Sequence, residues 1–99
     1  MTAAERVELA LKQVVDPEVG VNVVDLGLVY SVAVEAGDVR VRMTMTSAAC
    51  PMTQLLQEQA AALIRTFLPD AASIEVEIVW DPPWNPSMMT EEGRRILGV

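Results

Sequence analysis

The sequence predicts an α+β fold: one two-layer domain over residues 1–99, in the order α-β-β-α-β-α, with a small mixed three-stranded sheet covered by helices. Three observations predict it. Apolar and polar residues alternate with period two in three stretches. Two other stretches repeat apolar residues three and four apart, as amphipathic helices do. Proline, glycine and aspartate fall between these stretches and close each one.

The first element is a helix. Thr2-Ala3-Ala4-Glu5 fits a capping box, and Val7, Ala10, Leu11 and Val14 form one apolar stripe. Asp16-Pro17 should end it, because proline disfavours helical geometry in the residue before it. Residues 18–22 read as loop. Leu28, Tyr30, Val32 and Val34 then alternate with Val29, Ser31, Ala33 and Glu35 in a first strand. Ala36-Gly37-Asp38 is a tight turn, and Val39, Val41, Met43 and Met45 alternate with Arg40, Arg42, Thr44 and Thr46 in the returning strand.

Pro51 suits the first position of a second helix, whose predicted inner face is Met52, Leu55, Leu56, Gln59, Ala60, Leu63 and Phe67. Leu68-Pro69-Asp70 stops it. Ile74, Val76, Ile78 and Trp80 form the apolar side of a third strand, expected to pack on Leu55, Leu56, Leu63 and Phe67. If the second and third strands are parallel, the crossover through the helix should be right-handed. Asp81-Pro82-Pro83-Trp84-Asn85-Pro86 should be stiff and extended, and Thr90-Glu91-Glu92 should open a short last helix ending near Gly98.

Composition narrows the chemistry. Apolar residues make up 52% and charged residues 21%, the balance of a chain that folds around a core. Without a histidine, His-based triads, HExxH metalloprotease sites and proximal-His haem ligation are excluded. A single cysteine excludes an intrachain disulfide, a CxxC redox pair and a one-chain zinc finger. The formal net charge is −7, with residues 1–38 at −5, residues 39–68 at +2 and residues 69–99 at −4. Such a surface repels phosphate backbones, so no nucleic-acid partner is expected. No apolar run reaches the ~18 residues of a membrane span, and Met1-Thr2-Ala3-Ala4-Glu5-Arg6 lacks the order of a signal peptide, so the expectation is a cytoplasmic protein with no membrane partner.

Four groups of residues could carry chemistry. Cys50 precedes the proline that opens a helix, where free N–H groups and the positive helix end favour a thiolate. The competing reading is a small buried apolar residue. Asp16, Glu18 and Asp25 surround the first loop; beside a sulfur they would offer hard oxygen ligands and oppose thiolate formation, and otherwise they are turn residues bonding local backbone. Thr46 and Ser47, with Thr44 before them, could give hydroxyl hydrogen bonds near Cys50 or be ordinary strand-surface residues. Finally Trp80, Trp84, Met88 and Met89 frame the proline-rich loop; Trp84, Met88 and Met89 read either as a partner-binding surface or as a loop folded over the sheet.

Taken together, Asp16-Pro17-Glu18, Val23-Val24-Asp25-Leu26-Gly27-Leu28-Val29-Tyr30, Met43-Thr44-Met45-Thr46-Ser47-x-x-Cys50-Pro51, Val79-Trp80-Asp81-Pro82-Pro83-Trp84 and Met88-Met89-Thr90-Glu91-Glu92 resemble the small metal–sulfur (iron–sulfur) cluster biosynthesis and assembly factors. That family includes SufT-like factors and the related D subunit of phenylacetyl-CoA oxygenase. The resemblance implies an auxiliary factor in iron–sulfur cluster assembly or iron–sulfur protein maturation, not an enzyme. It implies that Cys50 is the functional thiol and metal ligand, and that Asp16, Glu18, Asp25, Thr46 and Ser47 line its site. Two departures bear on it: Ala48 stands where the family often has proline, and the cysteine-bearing C-terminal extension of the oxygenase-linked branch does not follow Val99, which favours the SufT-like label.

Ligand counting limits the cofactor. A cluster usually needs four thiolates and the chain supplies one, so iron or an iron–sulfur cluster would be transient and shared with a partner or second subunit. The expected partners are the iron–sulfur assembly machinery and apo-client proteins, for a monomer or homodimer. The alternative function is a non-catalytic adaptor that uses the Trp84 loop, with Cys50 structural. An enzyme with Cys50 as nucleophile lacks a histidine base.

Overall fold

A computed structural model of the chain describes residues 2–17, 19–46 and 53–98. The observed order is α1 (Ala3–Leu11), β1 (Val29–Glu35), β2 (Asp38–Met43), α2 (Thr53–Phe67), β3 (Ser73–Ile78) and α3 (Glu91–Leu97). The sheet runs β1-β2-β3, with β1 antiparallel and β3 parallel to the central β2. It is the mixed three-stranded sheet that the period-two stretches predict. Val39, Val41 and Met43 of β2 bury one face with Val7, Ala10 and Leu11 of α1 and with Leu56, Ala60 and Ile64 of α2. The other face carries Arg40–Glu75 (4.0 Å) and Arg42–Glu77 (3.2 Å), all four side chains exposed. Among the described residues, no helix is long and apolar enough to cross a membrane.

The local signals hold at the helix ends. Thr2 caps α1 in a full capping box with Glu5, and Val7, Ala10, Leu11 and Val14 are all buried. Thr90 caps α3 and Gly98 closes it in a left-handed conformation. The hairpin turn is the two-residue Ala36–Gly37, both with positive φ, which matches the right-handed twist of its strands.

Five expectations are corrected. Helix α1 stops at Leu11 instead of reaching Asp16, because Val14 and Val15 are drawn into an extended pairing: Val15 bridges Asn22, and Val23 N–H donates to the Val14 carbonyl (2.9 Å). In β1 the register jumps between Val29 and Ser31, a bulge that leaves Tyr30 unpaired and puts Val29, not Tyr30, opposite core residue Met43. On α2 the buried stripe is Leu56, Ala60 and Ile64, four residues apart, whereas Leu55 is 44% exposed. Helix α2 packs on both α1 and β3, which centres its contact on that stripe and turns Leu55 about 100° away. Strand β3 ends at Ile78, and Trp80 lies 47% exposed beyond it instead of joining the core. The proline-rich segment is not extended throughout: Pro86–Met88 form a 3-10 turn, since proline fits a first helical position and Asn85 caps Ser87 N–H (2.9 Å).

Candidate functional site

The first loop is a small frame of backbone bonds. Asp16 N–H donates to the Val21 carbonyl (3.0 Å), and the Asp16 carbonyl accepts from Gly20 N–H (2.8 Å). This tight return forms because Pro17 keeps Asp16 out of helical geometry and Gly20 adopts a positive φ. The Asp16 side chain is buried at 2% exposure, which is rare for a carboxylate and marks it as a built position, not a surface acid.

The Val15–Asn22 bridge links this frame to Asp25. Asp25 N–H donates to Asn22 Oδ1 (2.9 Å), and Asp25 Oδ2 accepts from Asn22 Nδ2 (2.7 Å). Its other oxygen, Oδ1, accepts from Thr90 Oγ1 (2.9 Å), and the Asp25 carbonyl accepts from Thr90 N–H (2.9 Å). Each oxygen of Asp25 thus already holds a hydrogen bond, and the residue clamps the first loop to the cap of α3. The bonding partners are side chains and a distant helix cap, where a turn reading of Asp25 expects local backbone.

Residues 79–90 form a strap. Val79 N–H donates to the Met43 carbonyl (2.8 Å), and then the chain crosses from β3 to the opposite edge of the sheet, where Tyr30 Oη donates to the Pro82 carbonyl (2.7 Å) and lies 3.6 Å from Met88 Sδ. Tyr30 is free to do this because the bulge takes it out of the ladder. Trp84 packs half-buried against the core and donates from Nε1 to the Leu26 carbonyl (2.7 Å). The seat is tight at two glycines. A Cβ on Gly27 would clash with the Met88 carbonyl oxygen, and one on Gly93 would stand 2.5 Å from the Asp25 carbonyl oxygen.

The predicted site residues therefore divide. Asp16 and Asp25 belong to one loop system, joined through Asn22, while Thr46 is half-buried just past β2. Thr44, before it, is fully buried, and among the described residues its hydroxyl has no hydrogen-bond partner. Glu18, Ser47 and Cys50 lie outside the described residues. Of the expected partner surface, Met88 is half-buried and Met89 is 7% exposed within the core; Trp80 is the exposed tryptophan. A buried Met89 follows from the strap being pinned at both ends, by Tyr30 and Trp84 on one side and Thr90 on the other. Sequence reasoning passed over Asn22, Tyr30 and Thr90 as clamping partners. Asn22, three residues before Asp25, was the one legible signal, an Asx-type spacing. Among the described residues, no group of three or more Cys, Asp or Glu side chains is placed to hold a metal ion.

A family model described as iron–sulfur cluster assembly protein matches residues 4–78. An iron–sulfur protein maturation auxiliary factor, YitW, of Bacillus subtilis is 41% identical over 96 residues, covering 96% of this chain and 93% of that protein. The maturation auxiliary factor SufT of Staphylococcus aureus is 42% identical over 87 residues, 87% of this chain and 98% of its own. The crystal structure of a domain of unknown function from Bacillus anthracis superposes with a TM-score of 0.93 at 36% identity, covering 98% of this chain and 92% of that one.

Proposed function

Because the chain belongs to the iron–sulfur cluster assembly protein family, we propose that it is an auxiliary factor in the maturation of iron–sulfur proteins, SufT-like in kind and not itself an enzyme. The observation that carries this reading is similarity along nearly the whole chain to two proteins named as maturation auxiliary factors.

The donor set decides how iron or a cluster would be handled. One cysteine and no histidine fall short of the four ligands that a resident cluster usually needs. Iron or cluster is therefore cargo, held briefly and completed by ligands from another protein or a second copy. Cys50 is the soft ligand of this chain in that reading. Asp16, Glu18, Asp25, Thr46 and Ser47 form its surroundings. Asp25 acts there chiefly by fixing the loop, since both its oxygens already accept hydrogen bonds.

Replacing Cys50 with serine in cells that depend on this factor tests the reading. Activity of client iron–sulfur enzymes should fall while the level of the variant stays unchanged. Full client activity in that strain would overturn the role of Cys50 and leave a thiol-independent adaptor. Iron and sulfide content of the protein purified without oxygen supplies the second measurement: substoichiometric, exchangeable iron fits cargo, and a stable full cluster in the monomer contradicts it.

A further inference from the structure

We propose that the outer edge of β1 is a docking strip for an extended, basic segment of a partner protein. β1 is one edge of the sheet. In a hairpin closed by two residues, Glu35 and Asp38 are the hydrogen-bonded pair beside the turn, and pairs alternate from there. Val34 and Val32 then direct their N–H and C=O groups away from β2. Among the described residues, nothing hydrogen-bonds to those groups.

The two edges of the sheet are treated differently. On β3, Gln57 Nε2 donates to the Val76 carbonyl (2.5 Å), so a side chain of α2 occupies that edge. β1, Val-Tyr-Ser-Val-Ala-Val-Glu, has no Lys, Arg or Pro, the residues that usually blunt an exposed edge, and its bulge is confined to the first residues. An edge left open in this way is a template for strand addition.

The surface beside it sets the chemistry of the occupant. An open hollow of about 570 Å³ is lined by Val24, Gly27, Val29, Tyr30, Pro82 and Met88, and is apolar. A second hollow of about 300 Å³ shares Val29 and Tyr30, and adds Glu5 and Glu8 of α1 alongside Ser31 and Val32. Neither is lined by Lys or Arg. The trough so formed takes apolar side chains beside the start of β1 and cationic ones beside Ser31 and Val32, where the open backbone groups begin; Arg6 lines a separate hollow beside Val34, beyond this acidic stretch. A second copy of this chain does not suit the trough. Pairing β1 with β1 would gather the glutamates of both copies at one seam, where like charges repel.

The strip stands on this geometry and not on the maturation reading, so its test is separate. The isotope-labelled full chain is titrated with a capped heptapeptide of alternating valine and threonine bearing two lysines near one end, and with a twin bearing two glutamates. The lysine peptide should shift the Val32 and Val34 amide resonances saturably and slow their solvent exchange. The glutamate twin should bind about tenfold more weakly, the effect of losing two surface charge pairs and gaining repulsion. Glu8→Lys, at an exposed position, should weaken the lysine peptide about threefold and relieve the penalty on its twin. Equal binding of both peptides, no response to Glu8→Lys, resonance shifts centred on Trp80 or Ile96, or dimerisation of the free chain through β1 would each overturn the proposal.

Discussion

Gly93 sits inside α3, where replacing glycine by alanine ordinarily stabilises a helix by about 1 kcal/mol. The structure reverses the sign. A Cβ at this position would meet the Asp25 carbonyl oxygen at 2.5 Å and its carbonyl carbon at 3.1 Å. Both are backbone atoms, so no side chain can swing aside. To relieve the contact, α3 must retreat from the loop, stretching Thr90 N–H to the Asp25 carbonyl (2.9 Å) and Thr90 Oγ1 to Asp25 Oδ1 (2.9 Å). Overpacking of this kind costs about 1–3 kcal/mol, and weakening the two hydrogen bonds adds roughly 1 kcal/mol. Set against the gain in helix propensity, Gly93→Ala should destabilise the protein by about 1–3 kcal/mol. For a domain of this size that lowers Tm by roughly 5–15 °C. Thermal and urea melts followed by circular dichroism measure it. A variant as stable as the parent, or more so, would refute the tight seat of α3 on the Asp25 loop.

Three further outcomes follow from the same geometry. Leu56→Ala, at 1% exposure beneath α2, should cost about 2–5 kcal/mol in urea unfolding, and a loss below about 1 kcal/mol would mean that α2 is turned otherwise. Trp84→Phe keeps the ring but removes the Nε1–H donated to the Leu26 carbonyl, so it should destabilise by about 1 kcal/mol, whereas an unchanged melt would place Trp84 outside the fold's support. Thr44→Val removes a buried hydroxyl without a partner among the described residues at nearly constant shape, and should raise stability by about 1 kcal/mol; a loss of stability by the same melts would show that the hydroxyl is bonded.

Near neighbours in the chain were enough to specify much of the architecture. The capping box of Thr2 and Glu5, the Thr90 cap, the Ala36–Gly37 turn and the alternation of Val39, Val41 and Met43 depend on residues one to four apart. Such signals are read directly from spacing, because backbone geometry makes those neighbours meet in any fold. The acids of the candidate site were visible for the same reason, as short side chains around a proline turn.

Contacts between distant segments decided the rest. Asp25 and Thr90 lie 65 residues apart, and nothing in either neighbourhood announces that one caps the other. The bulge that frees Tyr30 for Pro82, 52 residues away, is favoured only once the strap exists to receive it. On α2, Leu55 and Ile64 are equally apolar; which of them is buried depends on where α1 and β3 press against the helix. Hydrophobic burial is non-directional, so composition can say that a face will be covered, while the angle at which two surfaces meet settles which side chains lie beneath it.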